Sequence, residues 1–226
     1  MEGSVEGLLK TACVDGAKYR QADNMGKALA HISLLPYLAL FHQASVVYSR
    51  REISAVLFLL GSVLNIGCGK LLKKVLNQVR PLSTCEALGI CNKPGMPSSH
   101  SQVTFFLLTL EVLQLVRKTH RFRWNRWQRL AQLGMVLCYT AASVLVAYSR
   151  VYLGYHDLPQ VLAGAAVGIV VAAVCFTLTS CAAKHFPAWQ QSTIGRLLKL
   201  KDTWAIDDTL LFEYNNTLSS KSRKSM

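Results

Sequence analysis

Three short clusters in this chain have residue types and spacing that suit chemistry. The first is Lys73 followed after six residues by Arg80-Pro81, the second is Pro97-Ser98-Ser99-His100, and the third is Ser149-Arg150 followed after five residues by His156. Each adjoins a long apolar run. A cation at the bilayer centre costs ~2.5–3.5 kcal/mol even on the lenient insertion scale, so cations at the ends of spans either snorkel to water or serve a site. Snorkelling accounts for Lys73, Arg80 and Arg150 taken singly, but it does not require two histidines beside them. Arginine offers a planar fork to phosphate oxygens and lysine a compact charge. Three such groups together can hold a phosphoryl group and stabilise the charge that develops in its transfer. Pro97-Ser98-Ser99-His100 opens an apolar segment, where the free N–H groups of a helix N-terminus add anion-binding capacity. Ser99 with Gln102 also fits a capping box, a structural role for the serine that leaves His100 unexplained. Fixed cations and two histidines at membrane ends point to phosphate chemistry on a lipid.

The elements that must position these residues are membrane helices. The chain has 226 residues, enough for one domain, of which 51% are hydrophobic and 16% charged. The apolar residues fall in blocks, which is a polytopic membrane composition. Ala28–Tyr48, Leu130–Tyr148 and Val161–Ala183 are uncharged or nearly so and approach the ~20 residues that cross a bilayer. Ile53–Gly69 is shorter, and Ser101–Val116 carries one acid, Glu111. The expectation is an all-α polytopic bundle of about four to five transmembrane helices, since helices satisfy their own backbone groups in lipid. Gly164 and Gly168, four residues apart, would let a neighbouring helix approach closely. The organisation read from these blocks is a polar N-terminal segment over 1–27, a membrane-embedded domain over 28–183 and a tail over 184–226. The N-terminal segment has no apolar core with a cleavage site, so a removable signal peptide is not expected.

Five spans would put the links Ser49–Glu52 and Arg117–Arg129 on one side together with the tail, and the three clusters on the other. Arg50, Arg51, Arg117, Lys118, Arg121, Arg123, Arg126 and Arg129 lie in those links, and positive links stay cytoplasmic. The clusters would then face the lumen or exterior. The net charge of +13 and the run Arg121-Phe122-Arg123-Trp124-Asn125-Arg126-Trp127 raise nucleic acid as a partner. A short link has little room for such a module, and cations with tryptophan are expected at a cytoplasmic membrane interface, so no nucleic acid is expected. No obligate protein partner is evident either. The seven cysteines include no CxxC pair and no zinc spacing, and no metal is expected. Cys68, Cys138, Cys175 and Cys181 lie in or beside apolar runs and Cys13 in the N-terminal segment. Cys85 and Cys91 share the link that carries the first two clusters and are either a local disulfide or two free thiols.

Order, spacing and membrane placement of the three clusters together resemble the tripartite signature of the type-2 phosphatidate phosphatase superfamily, which also includes vanadium haloperoxidases. Within it, Gly95-Met96-Pro97-Ser98-Ser99-His100-Ser101-Gln102 and Tyr148-Ser149-Arg150-Val151-Tyr152-Leu153 look most like the dolichyl-diphosphatase subfamily. The resemblance covers roughly residues 28–183. It implies His156 as nucleophile, His100 as general acid, and Lys73, Arg80 and Arg150 as phosphate ligands, helped by Ser98 and the amide of Ser99. It also implies no cofactor, because fixed cations supply the charge that magnesium provides elsewhere. The implied substrate and partners are dolichyl diphosphate and membrane lipid, at an endoplasmic reticulum membrane with the site facing the lumen, where the carrier for N-glycosylation is recycled. Two positions depart from the superfamily pattern. Ser99 replaces a common glycine, and Gln160 stands where an aspartate usually orients the nucleophilic histidine. A glutamine carbonyl can accept the imidazole N–H but lacks the charge that stabilises imidazolium. A silent lipid-binding scaffold or transporter subunit is the alternative from another class.

Overall fold

The computed structural model describes residues 9–11, 17–20, 22–121, 126–206 and 208–224. Cys13, residues 122–125 of the basic aromatic run and the last two residues lie outside the described residues. The helix α1 (Asn24–Ile32) is capped by the Asp23 carboxylate, which accepts from the Gly26 amide at 2.8 Å, and α2 (Leu35–Arg50) follows directly. Together they make the first membrane-length stretch. The expected single span from Ala28 to Tyr48 is thus longer and is interrupted at Ser33–Leu34. Pro36 has no N–H to offer the Ile32 carbonyl and its ring crowds that group. The Ser33 hydroxyl donates to the Ala30 carbonyl at 2.7 Å and closes α1.

The next helix, α3 (Ile53–Leu76), runs past the expected end at Gly69 and so carries Lys73 within its last turn; it stops at Asn77, in the left-handed conformation at φ 40°. A short α4 (Leu82–Leu88) ends at Gly89, φ 70°, and leads into the loop before α5 (Ser99–Arg121). Two long helices follow, α6 (Arg126–Tyr152) and α7 (Leu158–Ala182), then short α8 (Phe186–Gln191), α9 (Thr193–Leu198) and the exposed α10 (Thr209–Lys224). Outside the bundle, β1 (Leu9–Thr11) pairs antiparallel with β2 (Lys18–Arg20), a hairpin that the apolar blocks did not foreshadow.

Among the described residues, four stretches are long and apolar enough to cross a bilayer, Asn24–Arg50, Ile53–Leu76, Arg126–Tyr152 and Leu158–Gln191. The fifth long helix, α5, is less apolar because it is the enclosed one. It packs along α7 and against α3 and α6, and Val103, Phe106, Leu107 and Leu110 on it are buried. A helix facing other helices rather than lipid can carry Ser101, Gln102 and Thr104 inward, provided they find partners. The outer helices instead expose Leu60, Val63, Leu64, Leu133, Leu137 and Val170, an apolar surface suited to lipid. Gly164 and Gly168 act as expected. A Cβ at either would collide with backbone of the α5 start, at the Ser98 and Gln102 carbonyls, so α7 can lie directly on α5.

The bundle has two chemically different ends. At one, the chain after α7 folds back: the Ile53 amide donates to the Lys201 carbonyl, the Lys201 amide donates to the Arg51 carbonyl, and Glu213 pairs with Arg50 and Lys201. Arg117 stacks 3.7 Å over the Trp204 ring, while Trp204 and Phe186 enter the core beside Phe58. At the other end lie the starts of α1, α2, α5 and α7 and the ends of α3 and α6, with the three clusters.

Candidate active site

His156 sits in the loop between α6 and α7, a position fixed by the end of α6 and the start of α7. The Arg150 carbonyl accepts from the Tyr155 and His156 amides at 3.0 and 3.1 Å, and Gly154 makes the turn at φ 73°. The ring is almost fully buried. Its Nδ1 lies 3.1 Å from Gln160 Oε1, and the Gln160 amide nitrogen donates to the Val79 carbonyl at 2.8 Å. Since a carbonyl only accepts, the amide orientation follows, and Nδ1 must carry the proton. The Nε2 lone pair then faces the cations, 3.5 Å from Arg80 Nη1. Gly95 leaves room for this arrangement, because a Cβ there would come within 2.6 Å of the Gln160 amide. Burial first, and then Arg80 and Arg150, push the His156 imidazole down to about 3, so it is neutral.

The cations come from three elements. Lys73, at the end of α3, reaches the Pro94 carbonyl at 3.5 Å. Arg80 is pinned by its Nε to the Lys93 carbonyl at 3.1 Å and by Nη1 to the Tyr155 carbonyl at 2.7 Å. Arg150, in the last turn of α6, is 4% exposed and lies 4.1 Å over the Tyr155 ring. Burial lowers the Arg80 guanidinium from its ordinary value, the mark of a cation that would gain from an anion. The loop that carries Arg80 is tied by a disulfide between Cys85 and Cys91, which decides between the two states left open by the sequence.

His100 lies in the first turn of α5, near enough to Arg150, His156, Lys73 and Arg80 to interact with all four electrostatically. Its ring meets Tyr37 edge-on at 5.6 Å, and its Nε2 is buried without a protein partner among the described residues. The capping box read at Ser99 and Gln102 is absent. Helix α5 starts at Ser99, so Ser98 is the residue before the helix, and Gln102 turns inward to donate to Asn65 on α3, at 2.6 Å to its carbonyl and 2.9 Å to its side chain. The Ser98 amide donates to the Gln160 carbonyl at 3.0 Å and the Ser98 hydroxyl accepts from Ser101 at 3.3 Å, whereas Ser99 is exposed at the helix start, where backbone amides have no intrahelical partner.

All eight residues singled out from the sequence therefore converge on one end of the bundle, Ser98 as a buried support and the others around the two histidines. Two participants were not singled out. Tyr155 places its carbonyl on Arg80, its ring under Arg150 and its hydroxyl on the Lys18 amide at 2.7 Å, and Tyr37 backs His100. An aromatic next to His156 and five residues after Arg150 was the available signal for Tyr155; Tyr37 lies on a different helix from His100 and left none.

Residues 54–182 match the family profile of the PAP2 superfamily. The chain belongs to that family. It is 37% identical over 220 residues to lipid phosphate phosphatase gamma of Arabidopsis thaliana, covering 94% of this chain and 93% of that protein. It is 33% identical over 206 residues to dolichyldiphosphatase 1 of Homo sapiens, covering 88% and 84%, and 30% identical over 164 residues to dolichyldiphosphatase of Saccharomyces cerevisiae, covering 70% and 65%. No solved structure matches the chain. With four membrane-length stretches among the described residues, this PAP2 member is a multi-pass membrane hydrolase of the lipid phosphatase kind.

Proposed function

We propose that this PAP2 member hydrolyses dolichyl diphosphate to dolichyl phosphate and phosphate through a phosphohistidine on His156. The observation that carries this reading is the Gln160 contact, which fixes the Nδ1–H tautomer and turns the Nε2 lone pair toward Arg80. Nε2 attacks the terminal phosphorus while the bond to the bridging oxygen breaks; the negative charge of the substrate opposes the burial and the cations that lower the His100 imidazole, and the protonated His100 gives its proton to that departing oxygen. Lys73, Arg80, Arg150 and the Ser99 amide hold the phosphoryl oxygens, with Ser98 supporting the turn. Water then attacks the phosphorus, His100 takes the water proton, and the P–N bond breaks to release phosphate and neutral His156. The three cations supply the charge stabilisation without a metal.

The relatives named dolichyldiphosphatase support dolichyl diphosphate as substrate, and the relative named lipid phosphate phosphatase favours a second reading, hydrolysis of other lipid phosphates. Initial rates on matched dolichyl, farnesyl and phosphatidate substrates separate the two.

The site lies at the end opposite Arg50, Arg51, Arg117 and Lys118, and the Cys85–Cys91 disulfide belongs in an oxidising space. Both support a site on the lumenal or exterior side, with the phosphatase domain over 28–183 and the tail over 184–226 in the cytosol; the dolichyldiphosphatase reading makes the membrane that of the endoplasmic reticulum and the site lumenal. The carrier would then be recycled for N-glycosylation.

The deciding experiment traps label from dolichyl diphosphate marked in its terminal phosphate. Label on His156 is expected in acid-sensitive linkage, His156→Ala should be inert though folded, and His100→Ala should still form phosphoenzyme from a substrate with a good leaving group. Near-wild-type turnover by His156→Ala would sink the mechanism.

A further inference from the structure

We propose that the groove beside His100 holds the leaving half of a lipid diphosphate, with Lys70 binding the phosphate that stays on the lipid and the groove walls binding its first hydrocarbon units. The inference rests on the reading of the site above.

The groove has a volume of about 240 Å³ and lies between α2, α3 and α5. Ser99, His100 and Lys70 line it together with Leu40, Ile66 and Val103. Helix direction orders these residues by depth. Helices α2 and α5 run away from the site end, so Leu40 and Val103 lie about one turn deeper than Tyr37 and Ser99. Helix α3 runs toward the site end, so Ile66 lies about one turn deeper than Lys70. Lys70, Ser99 and His100 therefore stand at the mouth, and Leu40, Ile66 and Val103 lie inside the bilayer depth beside Gln102, whose amide nitrogen is taken up by Asn65. An occupant with an anionic head at the site and a hydrocarbon chain in the membrane matches that polarity.

Lys70 precedes Lys73 by three residues, which makes the two neighbours on one helix face. Lys73 turns to the Pro94 carbonyl in the cation cluster, while Lys70 opens on the groove. An isolated lysine at the end of a membrane helix would snorkel. This one shares a wall with His100, the group assigned to the departing oxygen. In a diphosphate that oxygen belongs to the second phosphate, which must then lie beyond the bridging oxygen from the attacked phosphorus and beside His100, the donor to that oxygen. The groove is what adjoins His100 outside the cation cluster, and Lys70 is the charge that lines it. Lys73, Arg80 and Arg150 would serve any phosphoryl group, whereas Lys70 would act only where a second phosphate is present.

Initial rates on farnesyl diphosphate in detergent micelles, with vanadate inhibition measured on the same preparations, test the idea. Lys70→Gln should lower kcat/KM for farnesyl diphosphate by about tenfold to a hundredfold, the range for one charged hydrogen bond, and leave vanadate inhibition unchanged, since vanadate fills only the transferred-phosphoryl position. Lys70→Arg should restore most of the loss. Leu40→Trp, which narrows the groove, should raise KM for farnesyl diphosphate and not affect vanadate. An unchanged kcat/KM in Lys70→Gln, or an equal loss of vanadate inhibition, overturns the Lys70 assignment; an unchanged KM in Leu40→Trp overturns the groove. Wild-type protein that turns over no lipid diphosphate overturns the reading of the site itself, a different failure from either of these.

Discussion

Gln160 gives one side chain two separable duties, which makes it the sharpest test of the site. Its Oε1 holds the His156 Nδ1–H at 3.1 Å and its nitrogen holds the Val79 carbonyl at 2.8 Å, with the residue fully buried. Gln160→Leu removes both contacts and leaves the buried His156 Nδ1–H unpaired, at ~1–3 kcal/mol, whereas Val79 is exposed and its carbonyl can turn to water. Gln160→Glu keeps an acceptor for Nδ1–H but turns a carboxylate oxygen toward the Val79 carbonyl, so it loses only the contact with that exposed residue. Turnover should divide differently. With no acceptor the imidazole is released to the other tautomer, and the serine-protease Asp-to-Asn change, ~10⁴ in rate through the wrong tautomer, bounds the cost from above. We expect Gln160→Leu to form phosphoenzyme ~10²–10⁴-fold more slowly. Gln160→Glu should form it at least as fast as wild type, since a carboxylate stabilises the imidazolium of the phosphohistidine. Rapid-quench trapping of labelled enzyme reads the rate, and thermal unfolding in detergent reads the stability. A Gln160→Leu protein that stays folded and is phosphorylated at the wild-type rate refutes the reasoning.

Other expectations follow from the same geometry. Vanadate should inhibit and excess chelator should not, because Lys73, Arg80 and Arg150 supply the charge; an absolute magnesium requirement would count against the site, and Arg80→Gln should weaken both vanadate binding and turnover. His156 is held at about 3 by burial, then by Arg80 and Arg150, so the unfolded chain takes up a proton that the folded site refuses. Stability should therefore fall as pH drops from ~6.5 toward about 3, by ~1.4 kcal/mol per pH unit inside that window; an unfolding series in which His156→Gln shows the same slope as wild type refutes it. Protease added to sealed microsomes should remove a tag at the C-terminus and spare one inserted between Cys85 and Lys93, with Asn215 unglycosylated although it begins the acceptor pattern Asn215-Asn216-Thr217. Glycosylation at Asn215 would reverse the orientation.

The cation and histidine positions were legible because a bilayer makes charge at the end of a span conspicuous. The features that support them were not. Ser101–Val116 reads as one more span, set apart by its one acid, Glu111, yet it belongs to the central helix, and only packing reveals that its neighbours shield it from lipid. Gln102 looked like a local cap for Ser99, but its amide nitrogen donates across the bundle to the main-chain and side-chain carbonyl oxygens of Asn65 on α3. The break at Ser33–Leu34 was readable in principle from Pro36, whereas the disulfide needed the distance between Cys85 and Cys91, which spacing alone leaves open. Phe186 and Trp204 follow the last long helix in the sequence and look peripheral, though both close the core at the basic end.

Gln160 also bears on what the site prefers to hold. Lys73 and Arg80 are anchored by carbonyl oxygens of Pro94, Lys93 and Tyr155, dipoles that orient a cation without neutralising it. A carboxylate at position 160 would place a compensating negative charge beside His156 and weaken the field felt by a bound anion; the carboxamide orients the ring and contributes no charge. The cluster therefore keeps more of its positive potential for the substrate. Desolvation strengthens that potential, because burial of Arg150 and His156 removes the water that would screen it. Burial, and then the same potential, hold His156 neutral, and a neutral imidazole is the form whose Nε2 has an electron pair to give. In the mechanism proposed above, the departure from aspartate would trade imidazolium stabilisation after attack for a stronger anion field and a neutral imidazole before it, an exchange that tightens the binding of substrates carrying more negative charge without speeding the attack.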